Sequence, residues 1–306
     1  MSRVLLRWAL SLSVLGLLLL WLEPRRIAAE LADMHTAWLL LAVLTATAPT
    51  FLSAWRWRFT AARLGLPLSA KTALADYYLA GFVNQVLPGG VVGDAWRAQR
   101  HARASGKTGT AWRAVILERA SGQLAVALLA ILALILHPPW RGALETGLDL
   151  PAAGGRYSLA LSLPLILAIA AYATRRFWQP WLATFGADIR RALLARAAWP
   201  LQLGSSLLIV LSFLLVFALA ARGIGLAIAV PTLMLMALPV LLAMLIPLSV
   251  AGWGWREGAA AGVWVLSGLP PEQGVAASIA YGVVILLASL PGAIVLLVKP
   301  KINVHQ

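Results

Sequence analysis

Pro88-Gly89-Gly90-Val91-Val92-Gly93-Asp94-Ala95-Trp96-Arg97 interrupts an apolar run spanning 72–96, and it does so with residues that break or charge a membrane helix. Proline removes a backbone donor and glycine loosens the chain. Asp94 and Arg97 add charge where each ion costs roughly 2.5–3.5 kcal/mol at the bilayer centre unless it finds a partner or water. A second stretch, Pro247-Leu248-Ser249-Val250-Ala251-Gly252-Trp253-Gly254-Trp255-Arg256 followed by Glu257, does the same inside 230–268. Pro, Val, Gly, Trp and Arg recur in one order at one spacing. Broken apolar segments at corresponding positions of two halves point to the binding site of a transporter.

Around these elements the chain is membrane-like throughout. Of its 306 residues 61% are hydrophobic and 12% charged, with a mean hydropathy of +0.85, which excludes a water-soluble domain of this size. Runs long enough to cross the hydrocarbon core lie at 4–22, 36–54, 115–136, 157–174, 199–220 and 276–298. Alternating segments of a membrane barrel are missing, so the expected fold is an all-α polytopic membrane bundle of about 6–8 helices, a single domain over 1–306 with no soluble domain.

The net charge of +14 is spread over short loops rather than gathered on a nucleic-acid-binding face. Arg56, Arg58, Arg63 and Lys71, then Arg97 to Arg113, then Arg175 to Arg196, place those loops on the cytoplasmic side, with both termini. The charge bias is kept if 72–96 enters and leaves from the cytoplasmic side and 230–268 from the other. The two broken elements then form opposed re-entrant hairpins in an inverted-topology repeat. With no cysteine, disulfides and thiolate chemistry are excluded. His35, His101, His137 and His305 are isolated and offer no zinc spacing, so no metal or cofactor is expected.

The chemistry-bearing residues are Asp94, Arg97, Glu118, Arg119, Arg256 and Glu257, three acids and three bases expected to converge. Asp94 and Arg97 can pair locally. Glu118 with Arg119, and Arg256 with Glu257, are helix neighbours that point apart and need other partners. Arginine forks and open backbone amides suit a phosphate-bearing headgroup. Asn84, Gly90, Gly93, Ser249 and Gly252 complete the expected substrate-binding set. The segment 186–196 reads as a short amphipathic helix in the headgroup layer, and Trp96, Trp253 and Trp255 as seals on the broken elements.

Asn84 through Arg97, Glu118-Arg119-x-x-Gly122, and Pro247-x-Ser249-x-x-Gly252-x-Gly254-x-Arg256-Glu257-Gly258 resemble the signatures of the lysylphosphatidylglycerol synthase transmembrane region family. Its flippase-like domains also form the membrane part of multiple-peptide-resistance factors. The resemblance covers about Leu5 to Val298, with Val92 where the family often has glycine. It implies a multi-pass inner-membrane protein that moves or handles lipids. The soluble aminoacyl-transfer domain of the full-length factors has no counterpart in these residues, so lysyl transfer is not implied.

The leading expectation is a bacterial lipid translocase handling an anionic or polyprenyl-phosphate headgroup. Arg119 and Arg256 bind it, and Asp94 and Arg97 gate the cytoplasmic side. Two alternatives stand beside it: an intramembrane enzyme using Glu118 or Glu257 as general base, and a non-transporting partner of a lipid-synthesis enzyme, docking through loops 97–113 and 175–198.

Overall fold

A computed structural model describes residues 34–87, 90–136, 183–244 and 252–298. The expected spans 4–22 and 157–174, and with them Gly89, Pro247 and Ser249, lie outside the described residues. All regular structure among the described residues is helical: α1 Thr36–Thr45, α2 Thr47–Arg63, α3 Ala70–Val86, α4 Val92–Ser105, α5 Thr108–Leu136, a π-helical turn Arg190–Leu194, α6 Trp199–Gly223, α7 Val230–Ala243, α8 Trp255–Leu266, α9 Pro271–Ser289 and α10 Pro291–Val298.

Among the described residues, four helical stretches are long and apolar enough to cross a membrane: Thr36–Arg63, Thr108–Ala133, Trp199–Gly223 and Pro271–Val295. The first is α1 and α2 in line, with one irregular residue at Ala46; Pro49, which cannot donate to the carbonyl four residues back at Thr45, accounts for the step. Between the first two spans lies the pair α3 and α4, and between the last two lies α7 and α8; each pair packs side by side. The order span, broken pair, span therefore occurs twice.

The punctuation repeats as well. Gly65 closes α2 at φ 73° and Gly225 closes α6 at φ 86°, a left-handed backbone that glycine adopts freely. In each case the next amide reaches back past the glycine, from Leu66 to the Ala61 carbonyl and from Leu226 to Ala221. A six-residue connection, 64–69 or 224–229, then leads into the first limb of the broken pair.

The two halves interlock. Helix α2 packs on α6, α3 packs on α9 and α10, and α5 packs on α6 and α7. Small residues line these seams: Ala218, Ala221, Ala237, Ala260, Ala277 and Ala280 are buried around Phe217, Trp264 and Tyr281. Leu40, Leu44, Leu128 and Ile131 point outward and stay exposed, as lipid-facing side chains do.

Several expectations are corrected in detail. The span predicted over 36–54 runs on to Arg63, because no glycine follows until Gly65, so Arg56 belongs to the helix and is buried rather than lying in a cytoplasmic loop. Helix α5 begins at Thr108, not 115. The segment 186–196 is helical as the sequence suggests, an α-helical stretch over 183–189 running into the π-helical turn, and it packs against the bundle, with Arg113 Nε 2.5 Å from Asp188 Oδ2 and Arg63 Nε donating to the Arg191 carbonyl at 3.2 Å.

Candidate functional site

The break between α3 and α4 is held by its own side chains. Asn84, in the last turn of α3, accepts from the Gly93 amide at 2.8 Å and donates to Asp94 Oδ2 at 2.8 Å. One side chain thus ties both limbs across the gap. Gly93 lies against the Ala80 carbonyl so closely that a Cβ there has no room.

Helix α4 then presents Asp94, Arg97, Ala98 and His101 on its buried face. Arg97 Nε donates to Asp94 Oδ1 at 2.9 Å, the local pair expected from the spacing. Its Nη2 donates to Glu118 Oε2 on α5 at 2.7 Å. Arg97 is fully buried and does not snorkel; its guanidinium lies between the rings of Trp57 and Tyr77, 4.7 and 4.6 Å from their centroids. His101 is buried edge-on to Trp57 at 5.7 Å.

Glu118 is shared. Its Oε1 accepts from Arg56 Nη2 at 2.8 Å, and Arg56 also reaches Ser206 of α6 at 2.9 Å. Arg119, one residue on, turns the other way and pairs with Asp94. Three guanidiniums (Arg56, Arg97 and Arg119) therefore meet two carboxylates (Asp94 and Glu118) in one buried cluster, leaving one positive charge in excess among the described residues.

Among the described residues no hydrogen bond or ion pair joins Arg256 or Glu257 to this cluster. They pair directly, Arg256 Nη2 to Glu257 Oε1 at 2.7 Å, although neighbours within a helix point apart. The first turn of α8 explains it. Glu257 bends back so that its Oε2 accepts from the Gly254 amide at 2.6 Å, capping the helix start and bringing Oε1 under the arginine. Ser278 of α9 donates to the same Oε1 at 3.0 Å, and Trp253 lies under the guanidinium at 4.4 Å from its ring centroid.

The two clusters are built alike. Arg56 rests on Gly122 of α5, and Arg256 rests on Gly282 of α9. Four residues before each glycine stands the side chain that the hairpin arginine grips, Glu118 in one half and Ser278 in the other.

Between the two breaks lies a cavity of about 340 Å³. Gly90 and Val91 enter it from the first break, Met244 and Gly252 from the second. Its polar lining includes Arg56, Tyr77, Asn84, Gln85, Glu118, Arg119 and Gln123, and its apolar lining includes Val126, Ile209, Phe213, Leu241 and Ile285. Of the sequence-selected residues, Asn84, Gly90, Glu118, Arg119 and Gly252 line the cavity, whereas Gly93, Asp94, Arg97, Arg256 and Glu257 are not among its lining. Arg56 and Tyr77 are site residues that the sequence reading missed.

Access differs sharply within the cluster. The Arg119 side chain is 34% exposed, against 4% for Arg56 and 0% for Arg97. Arg119 is the guanidinium that a molecule in the cavity can reach without unpacking the bundle.

The family model for the lysylphosphatidylglycerol synthase TM region matches residues 5–292. No curated protein and no solved structure matches the chain. The family match and the four apolar spans make this a multi-pass membrane protein related to lipid handling.

Proposed function

The chain belongs to the lysylphosphatidylglycerol synthase transmembrane-region family, and from that premise we propose that it is a bacterial inner-membrane lipid translocase. An anionic or polyprenyl-phosphate headgroup occupies the cavity between the two broken helix pairs. The observation that carries this reading is the cluster of three arginines and two carboxylates behind the polar wall of that cavity. A buried positive excess attracts one anionic group, and an arginine fork matches phosphate oxygens. The headgroup phosphate takes Arg119 from Asp94, while Asp94 keeps Arg97 and Asn84 as partners. The apolar part of the cavity wall accommodates the first part of the acyl chains.

Arg97, Arg256 and Glu257 serve this reading as supports, since their charges are satisfied within the bundle. Both oxygens of Glu118 accept from arginines, an arrangement suited to holding cations in place rather than to taking a proton from a substrate. Both termini lie on the cytoplasmic side in this reading, and the broken pairs enter from opposite faces.

Reconstitution tests it. Purified protein in vesicles carrying a trace of fluorescent phosphatidylglycerol, with outer-leaflet dye bleached by dithionite, is expected to move dye between leaflets. Arg119→Gln removes a charge-assisted bond of about 1.5–3 kcal/mol, so the rate should fall by about tenfold or more. An unchanged rate in Arg119→Gln, or wild-type vesicles no faster than empty ones, overturns the assignment.

A further inference from the structure

Outside the central cavity, a second hollow of about 330 Å³ lies between α2 and α3. It is lined by Phe51, Ala54, Trp55 and Arg58 from α2 and by Ala70, Lys71, Ala73 and Leu74 from α3. The α2 residues fall at spacings of three, four and seven, so they form one stripe about 10 Å long, apolar at Phe51 and cationic at Arg58. The chain reverses at 64–69, which brings Lys71 to the Arg58 end of the groove. Arg58 is fixed there, with Nε donating to the Leu68 carbonyl at 2.9 Å. Trp55 stacks on Phe59 at 5.5 Å and stays 40% exposed, and Phe51 stays 51% exposed. Among the described residues, none that lines the groove is acidic.

We infer that this groove is a binding site for one anionic phospholipid of the surrounding leaflet, separate from the translocation cavity. The phosphate lies against Arg58 and Lys71, and an acyl chain runs along Ala54, Phe51 and Leu74. Three features select this occupant. The two cations lie at one end and attract an anionic headgroup. The apolar end requires hydrocarbon, which a free phosphate does not supply. Trp55 stands beside the cations, as aromatic side chains do at headgroup depth. The site holds whether or not the central cavity moves lipid, since it shares no residue with that cavity.

Native mass spectrometry of the full chain in mild detergent, titrated separately with phosphatidylglycerol and phosphatidylcholine, reads the site. The wild type is expected to retain phosphatidylglycerol in preference, and Lys71→Glu to retain one such lipid fewer. Arg119→Gln, which alters only the central cavity, is expected to keep the lipid that Lys71→Glu loses. Arg58→Gln repeats the test, and Lys71→Glu on an exposed side chain guards against misfolding. Equal retention of the two lipids by the wild type, an undiminished count in Lys71→Glu, or a Lys71→Glu/Arg119→Gln double variant that loses no more than Arg119→Gln alone each overturns the inference.

Discussion

Arg97 and Glu118 are joined at 2.7 Å with both side chains fully buried, and this bond fixes the second limb of the first broken pair to the long helix α5. A buried ion pair is weak evidence of net stability, because desolvation offsets most of its Coulomb attraction. Removing one partner is another matter, since it strands a charge.

Glu118→Gln removes the carboxylate that two buried arginines share, leaving Arg97 with Asp94 alone and Arg56 with only the Ser206 hydroxyl. It should destabilise the protein by about 3–5 kcal/mol, the usual cost of breaking a buried pair. Thermal unfolding in detergent checks this. The double variant Arg97→Gln with Glu118→Gln should be less destabilised than the two single variants summed, because the pair is then removed together.

Gly93→Ala should fail to give folded protein in normal yield, because its methyl group is forced onto the Ala80 backbone, which cannot step aside without separating α3 from α4. Gly81→Ala is the control. That residue lines the cavity with nothing within 4 Å of an added Cβ, so its yield and melting temperature should match the wild type. Size-exclusion profiles of the two variants decide the matter.

Asn84→Asp should impair phosphatidylglycerol movement more than Asn84→Ala does. Both lose the Nδ2 donor to Asp94, but only the aspartate puts a second carboxylate beside it. That cancels the positive excess at the cavity wall and repels an incoming phosphate. Equal rates for the two variants in the dithionite assay would show that Asn84 acts only by clamping the break.

The breaks and much of the first cluster were legible because Pro, Gly and charge stand out in apolar sequence, and the spacing of Asp94 and Arg97 already named them as a pair. Arg56 was not legible as a site residue, since the expected span ends at 54 and Arg56 falls with Arg58, Arg63 and Lys71 in a basic stretch that reads as a cytoplasmic loop. A signal existed: Ser53, Arg56, Trp57 and Thr60 recur at helical spacing and are buried, while Trp55 and Arg58 fall on the other face and are exposed. The Arg256–Glu257 bond defied the neighbour rule because that rule describes helix interiors, and Glu257 sits in a first turn where its carboxylate folds back on Gly254. The repeat was written more widely than the two broken motifs. Gly65 and Gly225 are 160 positions apart, Arg97 and Arg256 are 159 apart, and Gly122 and Gly282 are 160 apart. An offset constant to within one residue over three elements is far harder to obtain by chance than five identities in ten residues.

That offset leads to the last prediction. If the halves are inverted copies, the C-terminal end of α4 and the turn after α8 face opposite sides of the membrane. The chain has no native cysteine, so single cysteines at Arg103 and Pro270, both exposed, report their sides without background. An impermeant thiol reagent should label Pro270→Cys in intact cells and Arg103→Cys only in inverted vesicles. Arg103 carries the side assignment, because it sits in the most basic stretch of the chain, between Arg97 and Arg113, which the charge bias retains in the cytoplasm. Labelling of both positions from one side would make the halves parallel copies and put both breaks at one membrane face. The cavity would then lack a broken pair to open it toward the other leaflet, and the translocation reading would fall with the inversion.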